Sequence, residues 1–281
     1  MELSIFITWC SPAGSTGQVA DMIRKACEDL TVPVHTFDMG KDGSPDRFIE
    51  NLTRAGDRAL LFVGSPVYKD VAIPPVTGFL ERLPDNSGAF AVPFVTWGQA
   101  CSGVALWQLG RLLVAKGYRL AAGAKVLAVH SMMWQSDNPA GKGHPDRDTV
   151  DLMKKTVRDL IEAWRTSGLR ELALEALDYQ PEHLAREMKP KIDQPLMVMP
   201  RTVRTDLCTQ CAICADACPV SAIVLNPFPE FLPHCFGCMS CVRECPENAI
   251  EPAVSLAQVE TMIRQRVETI HETPGTRVFL P

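Results

Sequence analysis

The sequence predicts an α/β protein: a doubly wound, five-stranded parallel sheet followed by a small α+β domain built around cysteines. Three observations carry this expectation. Five short apolar runs alternate with stretches of helical periodicity over residues 1–166, the alternation that makes a parallel sheet with helices on both faces. Pro residues then punctuate a connector over 167–199, and a four-cysteine pattern occurs twice between Cys208 and Pro246. A length of 281 residues leaves room for about two domains at roughly 150 residues each.

The first run, Leu3 to Thr8, is an apolar strand. Val19, Met22, Ile23, Ala26, Cys27 and Leu30 follow at three- and four-residue spacing, one buried helix face. Val32 to Phe37 reads as the second strand and Arg47 to Arg54 as the second helix. Ala59 to Gly64 is almost wholly apolar, as strands covered on both faces are. Pro74 or Pro75 suits the first turn of a helix running to Leu83. Phe90 to Trp97, Ser102 to Lys116 and Leu120 to Val129 give the fourth strand, a helix and the fifth strand. Val150, Met153, Val157, Leu160, Ile161 and Trp164 mark the last helix of the set, with Gly168 as its C-terminal cap.

Ligands of such sheets bind outside the carboxyl ends of the strands, at the switch point. Three loops lie there. The first strand leads into Ser11-Pro12-Ala13-Gly14-Ser15-Thr16-Gly17, which opens a helix; free backbone N–H groups and hydroxyls at a helix start make an anion site. The loop lacks the Lys of a P-loop and the G-x-G-x-x-G of a dinucleotide fold. The third strand leads into Gly64-Ser65-Pro66-Val67-Tyr68, and the fourth into Thr96-Trp97-Gly98-Gln99-Ala100-Cys101-Ser102-Gly103. Each offers one aromatic side chain and several backbone donors to a flat ring.

The cysteine runs are Cys208, Cys211, Cys214, Cys218-Pro219 and Cys235, Cys238, Cys241, Cys245-Pro246. Both read C-x2-C-x2-C-x3-C-P, and in this spacing the fourth Cys of each run ligates the other cluster of a pair. Cys208, Cys211, Cys214 and Cys245 are therefore expected on one 4Fe–4S cluster, and Cys235, Cys238, Cys241 and Cys218 on a second. A structural zinc site draws four ligands from separated pairs, and a disulfide framework belongs to short secreted chains; neither describes these runs. Three cysteines, Cys10, Cys27 and Cys101, remain outside them and read as small buried hydrophobes.

Residues 200–252 resemble the bacterial-type ferredoxin domain. The three loops of residues 1–166 resemble the phosphate loop and the two isoalloxazine loops of the flavodoxin fold. The flavodoxin pattern Ser/Thr-x-Thr-Gly-Asn-Thr is matched by Ser11, Gly14 and Thr16, while Ala13 and Ser15 depart from it. The order of the two parts is similar to the flavodoxin–ferredoxin fusion family of anaerobic bacteria and archaea. The resemblance implies FMN, held by Ser11, Ala13, Gly14, Ser15, Thr16, Pro66, Val67, Tyr68, Thr96, Trp97, Gly98, Gln99 and Gly103. It places His130, after the fifth strand, at the flavin edge as a proton donor.

Charge bears on partners. Residues 1–166 carry 18 basic and 18 acidic side chains, and 167–281 carry 10 and 15. The acidic excess on the second half is expected to dock an external redox protein, by charge steering, while tethering supplies the neutral first domain with its partner. No basic stripe suggests nucleic acid. No run approaches 18 apolar residues, and Met1 to Trp9 lacks the basic residues of a signal peptide. Unpaired thiols fit a reducing compartment; the expectation is a cytoplasmic electron carrier. Two other functions compete with it: a flavin-dependent reductase of a small acceptor, and a docking subunit whose first domain has lost its flavin. Residues 253–281 carry an amphipathic helix, with Leu256, Val259, Ile263, Val267 and Ile270 on one face, expected to dock on another domain.

Overall fold

The computed structural model describes residues 3–85 and 88–281. The first half of the chain runs β1 (Ser4–Trp9), α1 (Ser15–Glu28), β2 (Val34–Asp38), α2 (Asp46–Ala55), β3 (Ala59–Tyr68), β4 (Val71–Ala72), α3 (Pro74–Arg82), β5 (Phe90–Trp97), α4 (Ala105–Ala115), β6 (Arg119–Leu120), β7 (Gly123–Leu127) and α5 (Arg147–Thr166). The long parallel strands lie in the order β2-β1-β3-β5-β7. Counting only these five, that is 2-1-3-4-5, the doubly wound order of the flavodoxin-like fold.

Side chains alternate between the two faces of the sheet, as the strand period requires. Ile5, Ile7, Leu60, Phe62, Val92 and Phe94 pack under α1 and α5 with Val19, Ile23, Met153 and Val157. Phe6, Leu61, Val63, Ala91 and Val95 face α2, α3 and α4 with Phe48, Phe79 and Leu109. Pro74 and Pro75 start α3, and Gly168 follows α5 in the left-handed conformation, both as expected.

Two features differ from the sequence reading. The fifth strand divides into β6 and β7, each paired to β5 and separated by Ala121 and Ala122; an unbroken apolar run shows no such break. The sheet also gains a sixth long-range member, β12 (Arg277–Phe279), which pairs antiparallel with β7. The chain's last residues thus return to cover the outer edge of the first sheet, which would otherwise present unpaired backbone groups.

The connector includes α6 (Glu182–Met188). The cysteine-rich unit holds β8 (Arg201–Val203), α7 (Ile213–Asp216), β9 (Ile223–Leu225), β10 (Pro229–Phe231), α8 (Ser240–Arg243) and β11 (Ile250–Pro252); α9 (Leu256–Ile270) follows. β8 pairs with β11 and β9 with β10, so each strand pair joins the start of one cysteine run to the end of a run. Helix α9 begins with a capping box from Ser255 and Gln258 and buries Val259 and Ile263 against Met133 and Ala140. No helix among the described residues is long and apolar enough to cross a membrane.

Candidate flavin cleft and cluster sites

The cysteine runs fold into two matching loops. Gln210 and Gly237, and then Ala212 and Met239, all take positive φ, which turns the backbone so that successive cysteines face one point. A cavity results that is lined by Cys208, Cys211, Cys214 and Cys245, the mixed set that the spacing predicts. In the other set, Cys218 and Cys235 lie within electrostatic reach of Cys238. Ala222 N–H donates to Cys218 Sγ at 3.1 Å, and Ala249 N–H to Cys245 Sγ at 3.2 Å. Backbone donors of this kind are among the hydrogen bonds that cluster sulfurs receive. None of the eight cysteines forms a disulfide. The sulfurs of this first set surround a space, and among the described residues no group of ligating side chains converges on a single ion, so the residues fit a cubane cluster.

The carboxyl ends of the sheet strands border a cleft of about 620 Å³, within the range of roughly 300–1,000 Å³ typical of cofactor sites. Ser11, Ala13, Ser15, Thr16, Pro66, Val67, Tyr68, Thr96, Trp97, Gly98 and His130 all line it. Gly14 caps α1 with φ 93°. Ser11 Oγ accepts from Gly17 N–H at 2.9 Å, and the Thr16 and Thr96 hydroxyls share a hydrogen bond of 2.7 Å. The N–H groups of Ser15 and Thr16 have no carbonyl partner among the described residues, so the helix start keeps donors for an anion. The Tyr68 hydroxyl is buried in the same wall, with Ser131 within electrostatic reach but at no hydrogen-bonding geometry. Open donors and the partly buried Tyr68 ring beside a roomy cleft fit a flavin phosphate and ring.

Of the residues expected at the cofactor, Gln99 and Gly103 lie outside the cleft lining, and Trp97 borders it without presenting its ring. Gln99 turns its side chain away, its Oε1 accepting from Gly141 N–H at 2.7 Å. Gly103 lies against Asp70, whose carbonyl leaves no room for a Cβ; its role is close backbone packing. Trp97 borders the cleft, but its ring is 2 % exposed and its Nε1 donates to Gly275 O at 2.8 Å. That ring belongs to the core and is not the stacking surface the sequence suggested. Gly98 is needed for space: a Cβ there would meet His130 at 2.6 Å.

His130 lines the cleft. Burial pushes its pKa down to about 4, and Nδ1 accepts from Met132 N–H at 3.2 Å. The ring is therefore neutral at pH 7 with its proton on Nε2, where it is a hydrogen-bond donor. Because the folded pKa lies below the unfolded value of about 6.5, the unfolded chain binds the extra proton between them. Stability from His130 is present above pH 6.5 and is lost as pH falls toward 4. A His130→Gln variant is expected to flatten that part of the stability–pH curve, read by denaturant unfolding.

Sequence reasoning missed the far walls of the cleft. The connector supplies Leu196, Met197, Val198, Met199 and Pro200, the second cysteine run supplies Phe236, Gly237 and Met239, and α9 supplies Val259, Met262, Ile263 and Arg266. Asp70, with positive φ, binds both Lys191 and Arg266 at 2.7 Å and so ties the loop after β3 to the connector and α9. The two halves meet at the loop after β1. Ser240 Oγ and Arg243 Nη2, both on α8, donate to Pro12 O at 3.1 and 2.7 Å. Phe236, between Cys235 and Cys238, is 5 % exposed and its ring centre lies 6.2 Å from that of Tyr68. The second cysteine set is thus the inner one, while Cys211 of the first is exposed. Cys10, Cys27 and Cys101 are buried, and burial pushes each thiol up to about 12; they are inert packing thiols.

Residues 207–250 match the family model of a 4Fe-4S dicluster domain. No curated protein matches the chain. Among solved structures, the chain is similar to rubredoxin oxygen:oxidoreductase from the anaerobe Desulfovibrio gigas, at 18% identity and TM-score 0.46 over 63% of this chain and 37% of that one. It is similar to a flavodoxin from the domain Archaea, at 16% identity and TM-score 0.43 over 58% of this chain and 99% of that one. It is also similar to an NADH:FMN oxidoreductase, at 19% identity and TM-score 0.43 over 56% and 87%. The chain spans little more than a third of the Desulfovibrio protein's length. Strand order and the matched cysteine runs together make this chain a flavodoxin-like fold followed by a 4Fe–4S dicluster domain.

Proposed function

We propose that the chain relays electrons between an external redox protein, two 4Fe–4S clusters and FMN. Cys208, Cys211, Cys214 and Cys245 hold the outer cluster, and Cys235, Cys238, Cys241 and Cys218 the inner one. The observation that carries this reading is the shared wall: the flavin loops and the second cysteine run line one cleft. FMN exchanges two electrons, singly or together, and each cluster one, so the pair converts between one- and two-electron chemistry. The protein's part is to hold the sites close, through Ser240 and Arg243 on Pro12, and to keep water out with Phe236, Met239 and the connector.

The outer site offers a docking face. Leu207, Ile213, Val224 and Leu225 are each about 40 % exposed around it, and Asp216, Glu230 and Glu247 are exposed on the same unit. Apolar contacts ringed by carboxylates suit a basic redox partner. In anaerobic rapid mixing with a low-potential protein donor, cluster bleaching is expected before loss of flavin absorbance, at a rate that falls with salt. Flavin reduced as fast in protein stripped of clusters would show that the sites form no relay.

Thr16→Asp tests the flavin site. Thr16 is 1 % exposed at the head of α1, and a carboxylate there repels a phosphate strongly where water is excluded. The variant is expected to lose bound flavin while keeping its iron, read by absorbance and metal analysis. Full flavin occupancy would place the phosphate elsewhere.

A further inference from the structure

The cysteine runs repeat with an offset of 27 residues, and the structure repeats with them. Positive φ recurs at Gln210 and Gly237, Ala212 and Met239, Ser221 and Asn248, and the N–H bonds to Cys218 and Cys245 recur at Ala222 and Ala249. Besides the Ser240 hydroxyl near Cys238 Sγ, where the first run has Ile213, a charged contact breaks the repeat. Arg201 Nη2 donates to Cys235 Sγ at 3.1 Å, and the guanidinium lies over the Phe231 ring at 4.3 Å. The position 27 residues later is Phe228, so the equivalent place in the other half carries a ring and no charge. Arg204, at the end of the same strand, is exposed and paired with Asp206 and Glu251.

We infer that Arg201 makes the inner cluster the higher-potential one of the two. The inference rests on the proposed ligand sets. Reduction adds one electron, and so one negative charge, to a cluster; hydrogen bonds to its sulfurs and the local net charge set the potential. A charged donor on a ligand sulfur favours the reduced form, and in a partly buried site that charge is weakly screened. Burial against the first domain opposes the added negative charge, and Arg201 offsets it. One electron leaves the outer site and the inner site takes it up; no bond breaks and no proton moves. The electron therefore rests beside the cleft.

The test is a redox titration of anaerobically purified holoprotein, followed by electron paramagnetic resonance. Two separate cluster couples are expected. Arg201→Gln should lower the higher couple at least tenfold in its equilibrium constant, about 59 mV for one electron, and leave the lower one in place. Arg201→Lys, which keeps the charge, should restore much of the difference. Phe228→Arg should raise the lower couple. The inference is overturned if Arg201→Gln, with its iron retained, moves neither couple, both equally, or the lower one. If that variant loses iron, Phe228→Arg decides, and an unmoved lower couple overturns the inference. An unaltered protein with far from about eight irons per chain would instead overturn the ligand sets.

Discussion

Replacing Glu272 by Ala is expected to destabilise the protein by about 3–5 kcal/mol, the cost of leaving a buried charge without its partner. Glu272 lies just beyond α9, and its side chain is 9 % exposed. It accepts from Lys125 Nζ at 2.5 Å, from Ser102 N–H at 2.8 Å, from the Ser102 hydroxyl and from Gln180 Nε2 at 3.3 Å. Lys125 on β7 has a side chain only 2 % exposed, wedged 5.1 Å from the ring centres of both Trp97 and Tyr179. Glu272 is the only carboxylate within salt-bridge distance of that ammonium among the described residues. The measurement is denaturant unfolding followed by tryptophan fluorescence, since Trp97 bonds to Gly275 in the same segment. The double variant Glu272→Leu, Lys125→Met removes both charges and should recover most of the loss, because apolar replacement of a whole buried pair is often neutral. A cost below about 1 kcal/mol for Glu272→Ala, no more than an exposed pair is worth, would mean that Lys125 does not depend on it.

The same group gives the fold an acid limit. Burial raises the Glu272 carboxyl, but the Lys125 ammonium and the Ser102 donors outweigh it and hold the group below its ordinary value. Since the folded value is the lower one, the unfolded chain binds the proton first. The contribution of Glu272 is therefore present above the unfolded value of about 4.3 and is lost as pH falls through the folded one. The network also explains why the tail matters to the cleft. Ser102 lies in the loop after β5, so the segment leading to β12 fixes a loop that follows Thr96 and Trp97 at the cleft.

How much of this was readable from the sequence depends on whether the cause is local. The central strands β3 and β5 were legible because strands buried on both faces are apolar runs, and Phe90 to Trp97 matches β5 end to end. The crossed grouping of the cysteines was an expectation from spacing, in which the fourth Cys of a run ligates the other cluster of a pair; in the fold Cys245 lines one cavity with Cys208, Cys211 and Cys214. The strand β12 was not: Arg277-Val278-Phe279 is three residues held by backbone pairing to β7, and nothing in its composition names that partner. The ring of Trp97 looked like a stacking surface because its position on the strand is right, but Gly275, 178 residues away, takes its N–H. Likewise Ser240 and Arg243 read as ordinary helix residues until the fold brings Pro12 to them. The cleft's third wall came from α9, whose apolar face the periodicity showed without showing what it faces.

The strongest test of the iron–sulfur half is Cys218→Ser. Cys218 follows Cys214 in the first run, so a reading by sequence proximity would assign it to the same cluster. The fold sends it elsewhere. Cys218 lies within electrostatic reach of Cys238 in the second run, and the Cys214 side is completed by Cys245. The substitution is therefore expected to remove the inner cluster, next to the cleft, and leave the outer one assembled. Iron and sulfide should fall from about eight to about four of each per chain, as for loss of one of two cubanes. The outer cluster should still bleach on reduction by a low-potential donor, while electron delivery to the flavin slows sharply. Cys245→Ser is the reciprocal case: it should remove the outer cluster and keep the inner one. Electron paramagnetic resonance of the two reduced variants should then show two different single-cluster spectra. Identical residual spectra, or loss of the cluster adjacent in sequence, would overturn the crossed ligand sets.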